Sequence, residues 1–542
     1  MRRNAALSAM LIIFIVMMFA LLFLMQEKEV DEKFKQNTYT SLEDDGTDMN
    51  LKIISSQENK DLESIITKFI KLTGANIEIE YAGTLEIMDR LNQGEVFDAV
   101  WMSNSIWLYM LDDSIKITDS VSTSINPIVF AIKESKAREL NLVGREIYTA
   151  DIINNIINGQ LKFSMSNPTQ TNSGATAYLG LLSTIAGNPE VLKEEHINDQ
   201  YVRDVLKVLF NGLERSSGSE EYLESMFLNS EYDAVVTYES SIINMNTELE
   251  KTGSEILYAL YPVDGVSIAD SPLAFINTGE NEARKEIFLA LQDYIVSKEG
   301  QKLLEEAGRR TWYGGISYTA NTNVFNPNWG IDTTKYIVPI KFPHTDIIEK
   351  ALDLYQTELR KPIYTIFALD YSGSMSSLGY EQLCNAMQYI LTPEKASKDL
   401  LQYTSKDKIS VIPFSTSVID VWNAADGSQT RELLYNILNL KPSGSTNIYD
   451  TGIRALQQIV DEDFNTYNVS VILMTDGLSN MGSYEQFEDA YTTRNADIPF
   501  YSIMFGDAFE DELQDIADLT NAKVFDGRSS LLEAFKEVRG YN

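Results

Sequence analysis

Ile363-Tyr364-Thr365-Ile366-Phe367-Ala368-Leu369-Asp370-Tyr371-Ser372-Gly373-Ser374 is the stretch on which the reading of this chain turns. Its first seven residues are an apolar run rich in β-branched and aromatic side chains, the pattern of a strand buried in a sheet. At the C-terminal end of that run, Asp370, Ser372 and Ser374 place one carboxylate and two hydroxyls on a single tight loop. Oxygen ligands held that closely suit a hard divalent cation such as Mg2+. Two further groups stand downstream in matching positions. Gly444-Ser445-Thr446 precedes a helical pattern, and Thr475-Asp476-Gly477 ends the strand pattern Val469–Met474. Neutral hydroxyls from Ser372, Ser374 and Thr446 keep the negative charge around an ion low, while Asp370 and Asp476 supply it directly or through water. An ion held this way stays Lewis-acidic toward an incoming carboxylate. Asp, Ser and Gly also favour ordinary turns, so the coincidence of three strand-end loops is what favours the metal.

Working outward, residues 362–542 alternate strand and helix patterns, with strands expected at Ile363–Leu369, Ile409–Phe414, Val469–Met474, Phe500–Met504 and Lys523–Phe525. Such alternation predicts a doubly wound α/β sheet whose ligands sit at the C-terminal strand ends. Asp370, Ser372, Ser374, Thr446 and Asp476 together resemble the metal-ion-dependent adhesion site of von Willebrand factor type A domains. The resemblance implies a Rossmann-like fold, Mg2+ (or Mn2+ or Ca2+) at that site, and binding of a protein that offers a carboxylate to the metal. It implies no catalysis. Asp450 is read as a helix residue that supports the loop, not as a ligand.

Residues 49–310 alternate too. Strand patterns at Leu51–Ile54, Ile77–Tyr81 and Phe97–Trp101 enclose helical ones at 61–72 and 85–92. A second α/β unit begins at Pro127, and the chain returns to the first near Asp270, giving a second lobe of about 127–270. Two interleaved lobes joined by crossing strands make a hinged clamp. The stretches Ser55-Ser56-Gln57, Tyr81-Ala82-Gly83-Thr84, Asp98 to Ser105, Asn167 to Thr176 and Asp233 to Ser240 are similar to those of type 2 solute-binding proteins of ABC importers, the oxyanion binders in particular. That resemblance implies a two-lobed periplasmic-binding-protein-like domain with Ser56, Thr84, Ser103, Thr171, Ser173 and Tyr238 as ligand-binding residues. Hydroxyls and free N–H groups at helix N-termini bind anions, although the same residues serve as helix caps. Glu239 beside Tyr238 would repel an anion; Arg215 is a candidate to offset it. Residues 311–361 form a connection dense in aromatics (Trp312, Tyr313, Phe325, Trp329) that ends in a linking helix, Ile347 to Leu359.

The N-terminus bears on location. Residues 1–4 include Arg2 and Arg3, and residues 5–25 are almost wholly apolar. About 20 apolar residues span a bilayer, so 5–25 is expected to be an uncleaved transmembrane anchor with Arg2 and Arg3 cytoplasmic. A cleaved secretion signal is the alternative. Residues 26–48 are polar and acidic, a stalk. A net charge of −35 argues against nucleic acid as a partner. One cysteine, Cys384, excludes an internal disulfide and reads as a small core residue. Two histidines, His196 and His344, leave little room for zinc or Ser-His-Asp catalysis. The chain is therefore expected to be no enzyme. It is expected to be a single-pass membrane protein, with an extracytoplasmic clamp joined to a metal-dependent adhesion module. The alternative is an ABC-importer receptor for an inorganic oxyanion or other small solute.

Overall fold

The structure is a computed structural model, and it describes residues 50–541 except 280, 281, 335, 336, 377, 507 and 509. The expected anchor 5–25 and stalk 26–48 lie outside the described residues. Among the described residues no helix is long and apolar enough to cross a membrane.

The first lobe is built on β1 (Leu51–Ser56), β2 (Ile77–Ala82), β3 (Ala99–Trp101) and β4 (Ile117–Ser122). The chain then crosses into the second lobe. That lobe carries β5 (Ser124–Lys133), β6 (Phe163–Ser166), β7 (Leu213–Ser217), β8 (Ala234–Tyr238), β9 (Leu257–Leu260) and β10 (Ser267–Ala269). It returns through β11 (Pro272–Ile276), so the first sheet reads β2-β1-β3-β11-β4. β1 pairs in parallel with β2 and β3, whereas the returning β11 pairs antiparallel with β3 and β4. This is the interleaved two-lobe arrangement anticipated above. β12 (Arg310–Thr311) adds to the start of β5 and ties the end of the clamp to the crossing strand.

The amphipathic stretch 282–308 forms two helices, Glu282–Val296 and Lys298–Glu306, against the first lobe, where Ile287, Phe288, Leu291 and Leu304 are buried. The connection is only partly packed through its aromatics. Phe325 and Trp329 are buried, whereas Trp312 and Tyr313 are exposed. The linking helix is Thr345–Leu354 continued by a π-helical turn, Tyr355–Leu359; Arg360 turns to an extended ψ of 150°, and Pro362 keeps Lys361 out of the α region so the helix does not resume. Cys384 is half-buried on the helix Leu378–Ile390.

The last domain has one six-stranded sheet, made of β13 (Ile363–Asp370), β14 (Lys408–Phe414), β15 (Trp422–Ala424), β16 (Asn468–Thr475), β17 (Phe500–Met504) and β18 (Val524–Asp526). Its order is β15-β14-β13-β16-β17-β18. All eight residues of β13 are buried between parallel neighbours β14 and β16, as a continuous apolar run requires. β15 was not anticipated. It is a three-residue antiparallel edge strand, too short to leave a periodic signal.

Candidate functional site

The C-terminal ends of β14, β13 and β16 lie side by side, so their loops form one rim. Asp370 is the last residue of β13 and is fully buried. Its Oδ1 accepts the Ser372 N–H at 2.7 Å, and its Oδ2 accepts the Thr475 hydroxyl at 2.6 Å. Ser372 Oγ lies 2.9 Å from Ser374 Oγ, and Ser374 Oγ donates to Asp476 Oδ1 at 2.7 Å. Four of the five residues named from sequence are thus joined by one hydrogen-bonded chain. Thr446 belongs to the neighbouring loop, which is clipped to this one: Gly373 N–H donates to Gly444 O, and Ser443 N–H donates to Tyr371 O. Gly444 sits at φ +90°, and a Cβ there would meet Thr416 Oγ1 at 2.6 Å, so this close approach demands glycine. Thr446 itself is held by Asn480, whose N–H donates to Thr446 O and whose Oδ1 accepts the Thr446 N–H.

The donor set fits a small hard cation. Octahedral coordination at about 2.1 Å puts neighbouring oxygens about 3 Å apart, and the serine hydroxyls already stand at that spacing. Burial pushes the Asp370 carboxyl above the usual range, opposed by the Thr475 and Ser372 hydrogen bonds and reinforced by the Asp476 charge. A cation between the two carboxylates would relieve that strain. Among the described residues no group of three or more His, Cys, Asp or Glu gathers as a metal site; this rim relies on hydroxyls instead. Thr475, beside Asp476 in the strand-end motif, orients Asp370 through its hydroxyl, a role that its sequence position alone does not assign. Asp450 exchanges hydrogen bonds with Asn447 at the start of the helix Ile448–Gln458, which supports the Thr446 loop as expected.

In the clamp, Ser56, Thr84 and Ser103 come together at the ends of β1, β2 and β3. Ser103 N–H donates to Ser56 Oγ at 3.0 Å, and Thr84 Oγ1 lies 3.2 Å from Ser103 Oγ. On the second lobe Thr171 caps the helix Asn172–Ile185 by accepting the Gly174 N–H, and Ser173 donates to Glu220. Tyr238 OH accepts from Asn172 Nδ2 at 2.6 Å. Trp107 of the first lobe donates to Asn172 Oδ1 at 2.7 Å, so the lobes meet directly and the six named residues are all buried.

Sequence reasoning missed the charges here. Glu220 accepts from Ser166, Ser173 and Thr237. Burial lifts the Glu58 carboxyl to about 7, with the Glu220 charge of the other lobe adding to it, and its Oε2 has no hydrogen-bond partner. Glu224 is also lifted to about 7, chiefly by burial. Glu239 does not repel across the cleft. Arg310 holds it in two 2.8 Å hydrogen bonds, and Tyr261 donates to it as well. Arg215 does not offset it; it turns to the last domain, donating to Tyr501 OH and Asn521 O at 2.9 Å. A crevice of about 640 Å3 opens beside the lobe contact, between Asn104–Tyr109, the crossing residues Ile268 and Asp270, and connection residues Pro339–Thr345.

Comparison with known proteins follows this division. Residues 51–310 match the family model described as bacterial extracellular solute-binding protein, and residues 366–538 match that of the von Willebrand factor type A domain. No curated protein matches the chain by sequence. Similar solved structures include the periplasmic binding protein AfuA from Actinobacillus pleuropneumoniae, at 15% identity and TM-score 0.41, covering 57% of this chain and 98% of that one. The sulfate-binding protein SubI from Mycobacterium tuberculosis H37Rv has 14% identity and TM-score 0.38, covering 54% and 93%. A von Willebrand factor type A structure from Catenulispora acidiphila has 18% identity and TM-score 0.29, covering 34% and 43%. The chain joins a bacterial extracellular solute-binding protein domain, residues 51–310, to a von Willebrand factor type A domain, residues 366–538.

Proposed function

We infer that this chain is an extracytoplasmic binding protein in which a solute clamp bears a metal-dependent protein grip, anchored to the membrane through residues 5–25. The extracellular solute-binding match supports the location, and the apolar run 5–25 supports the anchor. The observation that carries the grip is the chain Asp370–Ser372–Ser374–Asp476 on one rim with Thr446 beside it. Asp370, Ser372, Ser374, Thr446 and Asp476 would hold Mg2+, directly or through water. The metal supplies Lewis acidity toward a partner's carboxylate, and the chain's own hydroxyls keep the site from being charge-saturated. The role is binding, not catalysis.

The clamp's solute is a small molecule that enters between the lobes. Glu58, Glu220 and Glu224 lie there, and the buried Arg309, which acts on Glu58 and sits 5.9 Å over the Tyr238 ring, is also ion-paired to Asp61 at 3.1 Å, so carboxyl groups outnumber it. A site with that surplus of carboxyl groups opposes an inorganic oxyanion, which weighs against the importer-receptor alternative for such solutes. Thermal unfolding with and without 5 mM Mg2+ tests the grip, a concentration chosen as roughly saturating for a weak extracellular cation site. Mg2+ should raise the midpoint of the wild type and leave that of Asp370→Ala, which should still unfold cooperatively from its own starting midpoint, unmoved. An equal Mg2+ response in both proteins defeats the assignment.

A further inference from the structure

The crevice of about 640 Å3 beside the lobe contact is lined by none of Ser56, Thr84, Ser173 and Tyr238, the residues expected to hold the clamp's own solute. One wall is the first-lobe turn that follows β3. There Asn104 Nδ2 donates to Ile268 O at 2.9 Å and fastens that turn to the crossing strand β10. The other wall is the connection. Ile340 N–H donates to Val266 O at 3.1 Å and Val266 N–H to Val338 O at 2.9 Å, so residues 338–340 lie along the second lobe. Tyr178 OH donates to Ala351 O at 2.9 Å and holds the linking helix on that same lobe. Ile106, Ile268, Ile340, Phe342 and Ile348 make the lining mostly apolar. The volume falls within the range of small-molecule sites, about 300–1,000 Å3.

Among these apolar groups stands a single carboxylate, Asp270, at the crossing between β10 and β11. Its Oδ1 accepts the Ser105 N–H at 2.8 Å, and its Oδ2 accepts the Ser122 hydroxyl at 2.7 Å and the Ser105 hydroxyl. All three donors are neutral, so they fix the carboxylate in place and leave its charge unmatched. The titratable base in the lining, His344, is exposed and engages Asp346 at 2.8 Å. We propose that this crevice is a second solute site, and that it takes a small aromatic amine carrying one positive charge. The ammonium is matched by Asp270, and the apolar body by the isoleucines. Phe342 and Tyr109, the latter 77% exposed, add two aromatic rings, which favour both an aromatic body and a cation. A sugar finds few partners here, because Asn104 and Ser105 already use their side chains on Ile268 O, Ile106 N–H and Asp270. An anion is opposed by the carboxylate. The site depends neither on the metal grip nor on what the clamp holds between its lobes.

Equilibrium dialysis of the full-length chain in lipid nanodiscs, with empty nanodiscs as the blank, tests this with three probes. These are naphthylethylammonium, its neutral counterpart naphthylethanol, and ethylammonium, which keeps the charge without the ring. The aromatic amine should bind at least about tenfold more tightly than either control. Asp270→Asn keeps an acceptor for Ser105 N–H and removes the charge. It should bring the aromatic amine down to the level of naphthylethanol and leave the alcohol unchanged. Should that variant fail to fold, Tyr109→Ala, at an exposed position, should weaken both aromatic probes by about threefold or more at an unchanged thermal midpoint. Equal binding of the amine and the alcohol to the wild type overturns the charge assignment. No binding of any probe, or amine binding that neither variant alters, overturns the site. A concentration-dependent dimer that Tyr109→Ala abolishes would give the crevice to a second copy and overturn the proposed solute.

Discussion

Asp407 shows how a single buried residue can decide the junction before the last domain. It is fully buried and accepts from both Arg360 Nη atoms at 2.8 and 2.6 Å, from Ile363 N–H, and from the N–H and hydroxyl of Thr404. Burial alone would raise its carboxyl, but the Arg360 guanidinium and these hydrogen bonds hold it down at about 2. Because the folded value lies below the ordinary one, its stabilisation is full above about pH 4 and fades as pH falls toward about 2. Asp407→Asn leaves Arg360 buried without its counter-charge and should cost about 3–5 kcal/mol at pH 7, read from urea denaturation. A loss below about 1 kcal/mol, the range of ordinary surface ion pairs, would refute this role. Thr475 makes a comparable case at the rim. Thr475→Val removes the hydroxyl that orients Asp370, and should weaken Mg2+ binding by about tenfold or more in calorimetric titration. Unchanged affinity would show the hydroxyl to be a bystander. Asp370, Ser372 and Ser374 were legible because they fall within five residues of one strand end. Thr475, Asn480 and Asp407 were not, since their partners lie far along the chain and only folding brings them together.

At the level of elements, the apolar runs ended where the sequence indicated: β13, β14, β16 and β17 are buried strands whose neighbours fix their register. Short elements escaped notice for a physical reason, as the three residues of β15 or the four of Pro393–Ala396 carry no full period. The lobe contact was also out of reach. Ser56, Thr84, Ser103 and Ser173 could be placed at strand and helix ends from sequence, but not the carboxyl groups that face them across the lobes. Those groups give the clamp a pH dependence. Glu58 and Glu224 are held near 7, above the ordinary carboxylate range of 4.5, so both retain protons in the folded state that the unfolded chain releases. Stability should therefore fall as pH rises from about 4.5 to about 7, and repulsion between Glu58 and Glu220 should press the lobes apart once they ionise. The double variant Glu58→Gln/Glu224→Gln should flatten this slope and keep the lobes shut at pH 8. Small-angle scattering checks it: the wild type should gain radius between pH 5 and pH 8 and the variant should not. A wild type of constant radius, with the same pH slope in both proteins, would contradict the account.

The whole molecule is organised by the seam between its two domains. Tyr541, at the end of the type A domain, is 1% exposed, packs edge-to-face against Tyr222 and Phe525, and donates to Ser219 Oγ at the start of the helix that carries Glu220. Asn167 and Gln170, on the loop leading into the helix Asn172–Ile185, donate to Gly540 O and Lys536 O at 3.2 Å each. Arg215 of the second lobe reaches Tyr501 OH, Asn521 O and Asp497 of the type A domain, with Tyr222 OH completing the set. The type A domain is therefore packed on the second lobe next to the loop that carries Thr171, and is not swung on a free tether. Neither resemblance foretold this, because each described one domain and the seam belongs to both. Such a seam couples unfolding: domains with a buried aromatic and a buried arginine between them should melt together. Tyr541→Ala removes an aromatic from a closed site and should cost about 3–5 kcal/mol. In calorimetry the wild type should show one transition that the variant splits into two, the type A component alone shifting with Mg2+. Two transitions already present in the wild type would mean that the seam does not couple the domains, and that the grip and the clamp fold and act independently.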